Sequence, residues 1–197
     1  SLGLHPAIYF YSPSGRHSIP MFLGTLSLFF DKIINNDKEY FFKFTKVREK
    51  LEKILIEKKE LISLILQKYI SRYRIERYKD LLSGIVDELI AGHSVDDEEL
   101  IKISHLEGRI ISGTYTSANP SFSDDTKSQV FIKKSLSSSE KCPICNGYID
   151  FNKSLSYDHI TRKEDGGVGE LHNCQITHPF CNQSFKERDV SLDAIAS

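Results

Sequence analysis

No apolar run in this chain is long enough to cross a bilayer, and its start lacks the basic opening and apolar middle of a secretory leader. Neither a membrane partner nor export is expected, and the expected compartment is cytoplasmic. Cysteine is missing from the first 141 residues: Cys142, Cys145, Cys174 and Cys181 all lie in the last third. In a reducing compartment that placement, with two of them as Cys142-Pro-Ile-Cys145, favours a metal over disulfides, and zinc is the first candidate. Proline is missing between Pro20 and Pro120, which leaves a hundred residues free to be helical. Net charge is nearly missing as well, at −1.

That small net charge hides a segregation. Between Asp37 and Asp80 stand thirteen Lys or Arg against eight Asp or Glu, whereas Leu81 to Leu100 carries six acids and no Lys or Arg. A basic stripe of this kind can grip phosphate backbones, although most of its members read individually as paired charges on a wet helical face.

The proline-free stretch divides into helices. The first is predicted over about Pro20 to Asn35, and its near-continuous apolar set (Met21, Phe22, Leu23, Leu26, Leu28, Phe29, Phe30) predicts burial. A second begins near Asn36, with Asn36 and Glu39 at capping-box spacing, and continues through Val47, Leu51, Ile54, Leu55, Leu61, Ile62 and Ile65. It either runs on toward Ala91 as an arm or breaks around Tyr73 to Lys79 into a helical hairpin. Tyr9-Phe10-Tyr11 reads as a short strand before the first helix. Ser94 with Asp96 to Glu99 opens a later helix, and Ser123 with Asp124 and Asp125 opens another that closes on Lys133 and Lys134. The fold class expected is mainly α with a small α+β part. A helical domain covers 1–120, with a DNA-binding, dimerisation or linker role, and a second domain covers 121–197. The chain opens on Ser1 rather than Met, so an upstream regulatory domain of a longer chain is also expected.

The second domain carries the chemistry. Cys142 and Cys145 followed by Gly147 read as a zinc knuckle. The matching i, i+3 pair His178 and Cys181 completes a Cys3His set, while Cys174 reads as a small apolar residue outside it. Four ligands close the coordination shell, so this zinc is expected to be structural. Between the pairs, Tyr148 to Phe151 and Leu155 to His159 read as a hairpin, with Asp158 and His159 at the end of its second strand. Neighbours in a regular strand face opposite ways, so both serve one site only where the strand ends or bends. Gly166-Gly167 follows as a loop, and the segment after Leu171 is expected to return as a helix.

In order, Asp158-His159-Ile160, Gly166-Gly167, Asn173 and His178-x-x-Cys181-Asn182 resemble the HNH endonucleases, the ββα-metal or His-Me finger family in its zinc-knuckle form. The likeness spans roughly residues 125 to 190. His178 stands where zinc-bearing members usually have Cys, and Arg162 where many have Pro. The resemblance implies a DNA endonuclease in which His159 acts as general base on water, a task suited to imidazole. It implies Mg2+ or Mn2+ held by Asp158 and Asn182, with Asn173 bracing the loop and orienting His159. Arg162 and Lys186 are candidate phosphate contacts. By analogy with C-terminal nuclease domains of bacterial restriction or phage-defence proteins, the partner is DNA, and a homodimer would allow both strands to be cut. The alternative is a zinc-stabilised DNA-binding or assembly module without cleavage.

Overall fold

The described part of the proline-free stretch is mainly helical, and some of its breaks coincide with tertiary anchors. The computed structural model describes residues 1–110, 122, 124–152 and 155–188. Two compact units are present: Pro6–Ser138, and Ser1–His5 with Ser139–Ser197. The expected division near residue 120 falls among residues 111–121, outside the described residues.

In the helical unit the elements are α1 (Pro6–Tyr9), α2 (Ile19–Ile34), α3 (Lys38–Glu57), α4 (Lys59–Gln67), a 3-10 turn (Ser71–Tyr73), α5 (Arg74–Ile90), α6 (Asp97–Ile103) and α7 (Asp124–Ser137). Tyr9 ends a helical turn instead of opening a strand, and Tyr11 pairs with His17 in an isolated bridge. Asp37, not Asn36, caps α3: its Oδ1 accepts from the Tyr40 amide at 3.1 Å, while Asn36 takes the left-handed turn at φ 54°. Asp96 caps α6 in the same way, accepting from Glu99 N at 2.9 Å, and the acids behind it fill the first turn as the dipole favours. Ser123, expected to open α7, lies outside the described residues.

The long arm does not form. The helix breaks at Lys58, whose ammonium reaches Asp97 of α6 at 2.7 Å, and again beyond Gln67 before the turn at Ser71. Residues 74–79, where a break was expected, are instead the first turns of α5. Gly24 lets α2 cross α5 closely, because a Cβ there would lie 2.8 Å from the Ile75 carbonyl oxygen and 3.1 Å from the Lys79 nitrogen. Two members of the predicted basic stripe are buried. Arg48 bonds Glu52 at 2.8 Å, and Glu52 also accepts from the Tyr9 hydroxyl at 3.1 Å. No helix among the described residues is long and apolar enough to cross a membrane.

Lys59 is the second buried cation. Its ammonium donates to the carbonyls of Ala7, Ile8 and Tyr11 at 2.7–3.0 Å, so it caps the end of α1. Burial pushes its pKa down from 10.5 to about 7. Between those values the unfolded chain keeps the proton while the folded chain releases it. Stability therefore rises with pH across the window, by up to about 1.4 kcal/mol per pH unit. Denaturant melts at the two ends of that window are expected to show this rise in the wild type and not in Lys59→Met. Parallel curves for the two proteins would contradict it. The buried phenols of Tyr40 and Tyr78, pushed up chiefly by burial, stay protonated throughout.

Candidate metal centre and adjoining acid–histidine site

The first ligand pair is made by a tight reversal. Lys141 and Tyr148 form an antiparallel bridge, the Cys142 amide donates to Gly147 O at 2.9 Å, and the Asn146 amide donates to Cys142 O at 2.8 Å. Asn146, rather than the glycine after it, takes the left-handed position, at φ 53°. The second pair is carried from strand to helix. His178 follows strand β2 (Cys174–Thr177), residues 179–188 are helical, and a π-helical turn at Cys181–Phe185 begins on the last ligand.

Cys142, Cys145, His178 and Cys181 are all buried, and their ligand atoms lie within 4.8 Å of one another. His178 Nε2 sits 3.2 Å from the Tyr148 carbonyl, which can only accept, so Nε2 carries the hydrogen and the Nδ1 lone pair faces the thiols. From Nδ1 the sulfurs of Cys145 and Cys181 are 3.4 and 3.8 Å away. A tetrahedral zinc, with bonds of about 2.1 Å to nitrogen and 2.3 Å to sulfur, places such pairs roughly 3.6 Å apart. The donor set fits a metal ion such as zinc. Hydrogen bonds from the Cys145 and Cys181 thiols pull the Cys142 thiol far down, while Cys142 and Cys145 push the Cys181 thiol far up. The opposite shifts describe one thiolate held by the hydrogen bonds of its neighbouring thiols.

The apolar cluster at the ligand atoms is small. The local core consists of Cys142, Cys145, Ile149 and Cys181, with Ile144, Leu155 and Ile176 packed against it. The N-terminal segment adds a lid: the Phe180 amide donates to Ser1 O at 3.2 Å, and Gly3, at φ 58°, passes so near the His178 ring that a Cβ would lie 2.7 Å from Cδ2.

The expected hairpin of Tyr148 to Phe151 with Leu155 to His159 is not formed; residues 153–154 between its halves lie outside the described residues. Strand β1 (Ser156–His159) pairs antiparallel with β2, Asp158 opposite Gln175 and His159 opposite Cys174. The segment after Leu171 is therefore a 3-10 turn and a strand before it becomes helix. Cys174 lies outside the metal cluster as expected, but it is exposed rather than packed.

On β1 the alternation places Asp158 inward, at 6% exposure, and leaves His159 half-buried at the strand's end. Asp158 accepts from Gln175 Nε2 at 2.8 Å and from Lys186 Nζ at 2.9 and 2.8 Å. The same ammonium donates to His159 O at 2.8 Å. Lys186 therefore sits on the acid and not at an open phosphate position. Arg162 pairs with Glu187 at 3.2 Å. Asn182 donates through Nδ2 to Ser156 Oγ at 2.7 Å and to Tyr157 O at 3.2 Å, which brings its amide beside the acid's neighbour.

Asn173 is the loop's clamp. Its Oδ1 accepts from Thr161 N at 2.7 Å, and its Nδ2 donates to Thr161 O at 3.1 Å and Val168 O at 2.8 Å. Gly167 lies beneath this clamp: a Cβ would overlap the Thr161 carbonyl oxygen and stand 2.7 Å from that of Arg162. Gly167→Ala is expected to spring the clamp and abolish hydrogen-exchange protection of the Thr161 amide. Gly169→Ala, where a Cβ meets nothing within 4 Å, should leave protection unchanged.

No family model, curated protein or solved structure matches the chain. The likeness to HNH endonucleases rests on the residues themselves. Gln175, Ser156 and the Tyr148 carbonyl complete the site without having been legible, because each is defined only by the register of β1 against β2 or by a main-chain atom.

Proposed function

We propose that the chain is a metal-dependent DNA endonuclease of the HNH kind, with zinc held by Cys142, Cys145, His178 and Cys181 in a structural role. The observation that carries this reading is the convergence on one short strand of Asp158, His159, the Asn173 clamp and Asn182, with Asn182 following directly on the ligand Cys181. His159, at the strand end, would take a proton from the attacking water. Asn173 fixes the loop that leaves His159 and so sets its approach. Asp158 and Asn182 offer oxygens suited to Mg2+ or Mn2+, which would stabilise charge developing on the leaving 3′ oxygen. Arg162, paired with Glu187 at the surface, is the candidate phosphate contact, and Lys186 would become one only on release from Asp158. By analogy the setting is restriction or phage defence, as the effector part of a longer protein.

Lys186 decides how the acid is used. Its ammonium engages both Asp158 oxygens, so a divalent ion at Asp158 would displace it, freeing the ammonium for a phosphate oxygen. Mn2+ binding to the zinc-loaded chain, followed by electron paramagnetic resonance, is expected to vanish in Asp158→Ala. It should strengthen about tenfold in Lys186→Met, which lacks the competing cation, and survive in His159→Ala. The same saturated carboxylate is what favours the second reading, a zinc-stabilised DNA-binding or assembly module in which Asp158 only braces Lys186. Mn2+ binding that ignores Asp158→Ala would favour that module.

A further inference from the structure

Helix α2 carries a second apolar face that the helical unit does not use. Met21, Gly24, Thr25, Leu28 and Phe29 are buried. Yet Ile19, Leu23, Leu26, Phe30, Ile33 and Ile34 stand on the solvent side at 37–68% exposure. The expectation of a helix buried all round is therefore half right: one apolar face is core and the other is open.

The first five exposed residues follow one another at steps of four, three, four and three. That is the rhythm by which helices meet along a left-handed seam. No residue of the stripe is charged. The helix's two charges, Asp31 and Lys32, lie off it and pair with Lys79 and Asp37. At roughly half of about 200 Å² apiece, the six side chains leave on the order of 600 Å² of apolar surface. Two such faces pressed together would bury about 1,200 Å² in total, the low end of the range of specific interfaces, and one face alone is at the upper end of what an ordinary monomer leaves as a single patch.

We propose that this stripe is a dimer interface, α2 of one copy packing against α2 of a second copy about a twofold axis. An uncharged stripe with a seam-like repeat complements itself, as a twofold contact requires, and its area reaches the smallest that specific pairs bury. Dimerisation asks nothing of the nuclease chemistry. Given that chemistry, it would bring two single-strand cuts to one duplex.

Leu26 is the middle residue of the five. A twofold axis through the seam therefore sets it against its own mate whether the helices run parallel or antiparallel, whereas Ile19 meets its mate only in the parallel arrangement. Light scattering of the zinc-loaded chain is expected to give twice 22.5 kDa. The double variant Leu26→Glu, Phe30→Glu should give the monomer mass with unchanged helical circular dichroism. In a Cys174→Ser background, Leu26→Cys should form an intermolecular disulfide as the major oxidised species, and Ile19→Cys then reports direction. A wild-type monomer at micromolar concentration overturns the proposal, as does a dimer mass that the double variant leaves intact. So does failure of Leu26→Cys to cross-link, which stands as evidence even if the charged variant misfolds.

Discussion

Replacing Cys145 with serine is expected to empty the cluster of zinc and unfold the C-terminal unit, while the helical signal of the α1–α7 unit persists. The reason lies in what surrounds the four ligands. Apart from the thiols themselves, one fully buried isoleucine and three partly buried side chains form the cluster at the ligand atoms, and Phe185 is the other buried apolar side chain among the described residues of this unit. So small an apolar set cannot offset the ordering of some fifty residues, at about 1 kcal/mol or more each. Structural zinc in zinc-finger peptides supplies about 10–16 kcal/mol, and zinc bound at this group would supply it as folding energy. Zinc content measured by atomic emission should fall from one per chain to none, and amide dispersion of residues 139–188 in an NMR spectrum should collapse. EDTA should reproduce both effects and added zinc reverse them. A Cys145→Ser protein whose C-terminal resonances stay dispersed would show that the ligands are ordinary core residues. Cys174→Ser, by contrast, should change neither measurement, because Cys174 is exposed and outside the cluster.

Replacing His159 with alanine is expected to lower DNA cleavage about 10²–10⁴-fold, the usual contribution of a positioned general base, at unchanged zinc content and unchanged melting. The two halves of that expectation come from different observations. His159 ends β1 half-buried, and its backbone carbonyl, not its ring, is what Lys186 holds at 2.8 Å. Removing the ring therefore takes away chemistry while the main-chain bond and the strand pairing remain. Asn173→Ala should lower cleavage by a different route, since it releases the three side-chain bonds that hold the loop at Thr161 and Val168. Restoring an amide with Asn173→Gln should not rescue it, because the extra methylene moves the amide out of register with Thr161. Cleavage equal to wild type in His159→Ala would mean that the base lies elsewhere or that the activity belongs to a contaminant.

The Cys3His group that could hold a metal was legible because its spacing is regular: two pairs at i, i+3 leave few ways to close a tetrahedron. Asn173 was expected to brace the loop, and its side chain bonds Thr161 and Val168. The helices of the first hundred residues were legible from the missing proline and the step of three and four. What was not legible is whatever depends on partners far away in sequence. The helix break at Lys58 coincides with tertiary bonds, Lys58 to Asp97 of α6 and Lys59 to the carbonyls of α1, and no local propensity marks it. Arg48 and Lys59 counted toward a basic surface stripe because a charge count knows nothing of Glu52 or of the α1 carbonyls that receive them. Strand β1 found β2 across a fourteen-residue excursion in place of the nearer Tyr148 segment, whose bridge goes to Lys141 on the other side of the knuckle. Lys186 was read as a phosphate contact from its place one turn after Asn182, and only the fold could bring Asp158 to it.

The nuclease reading is tested most directly by incubating the zinc-loaded chain with supercoiled plasmid while Mg2+ is titrated, alongside His159→Ala. The account predicts nicked circles that appear only with the divalent ion, carry 5′-phosphate and 3′-hydroxyl ends, and are all but lost in the variant. Plasmid that is retarded in a gel yet never cut, at any level of Mg2+ or Mn2+, would contradict it and leave a zinc-built binding module in its place.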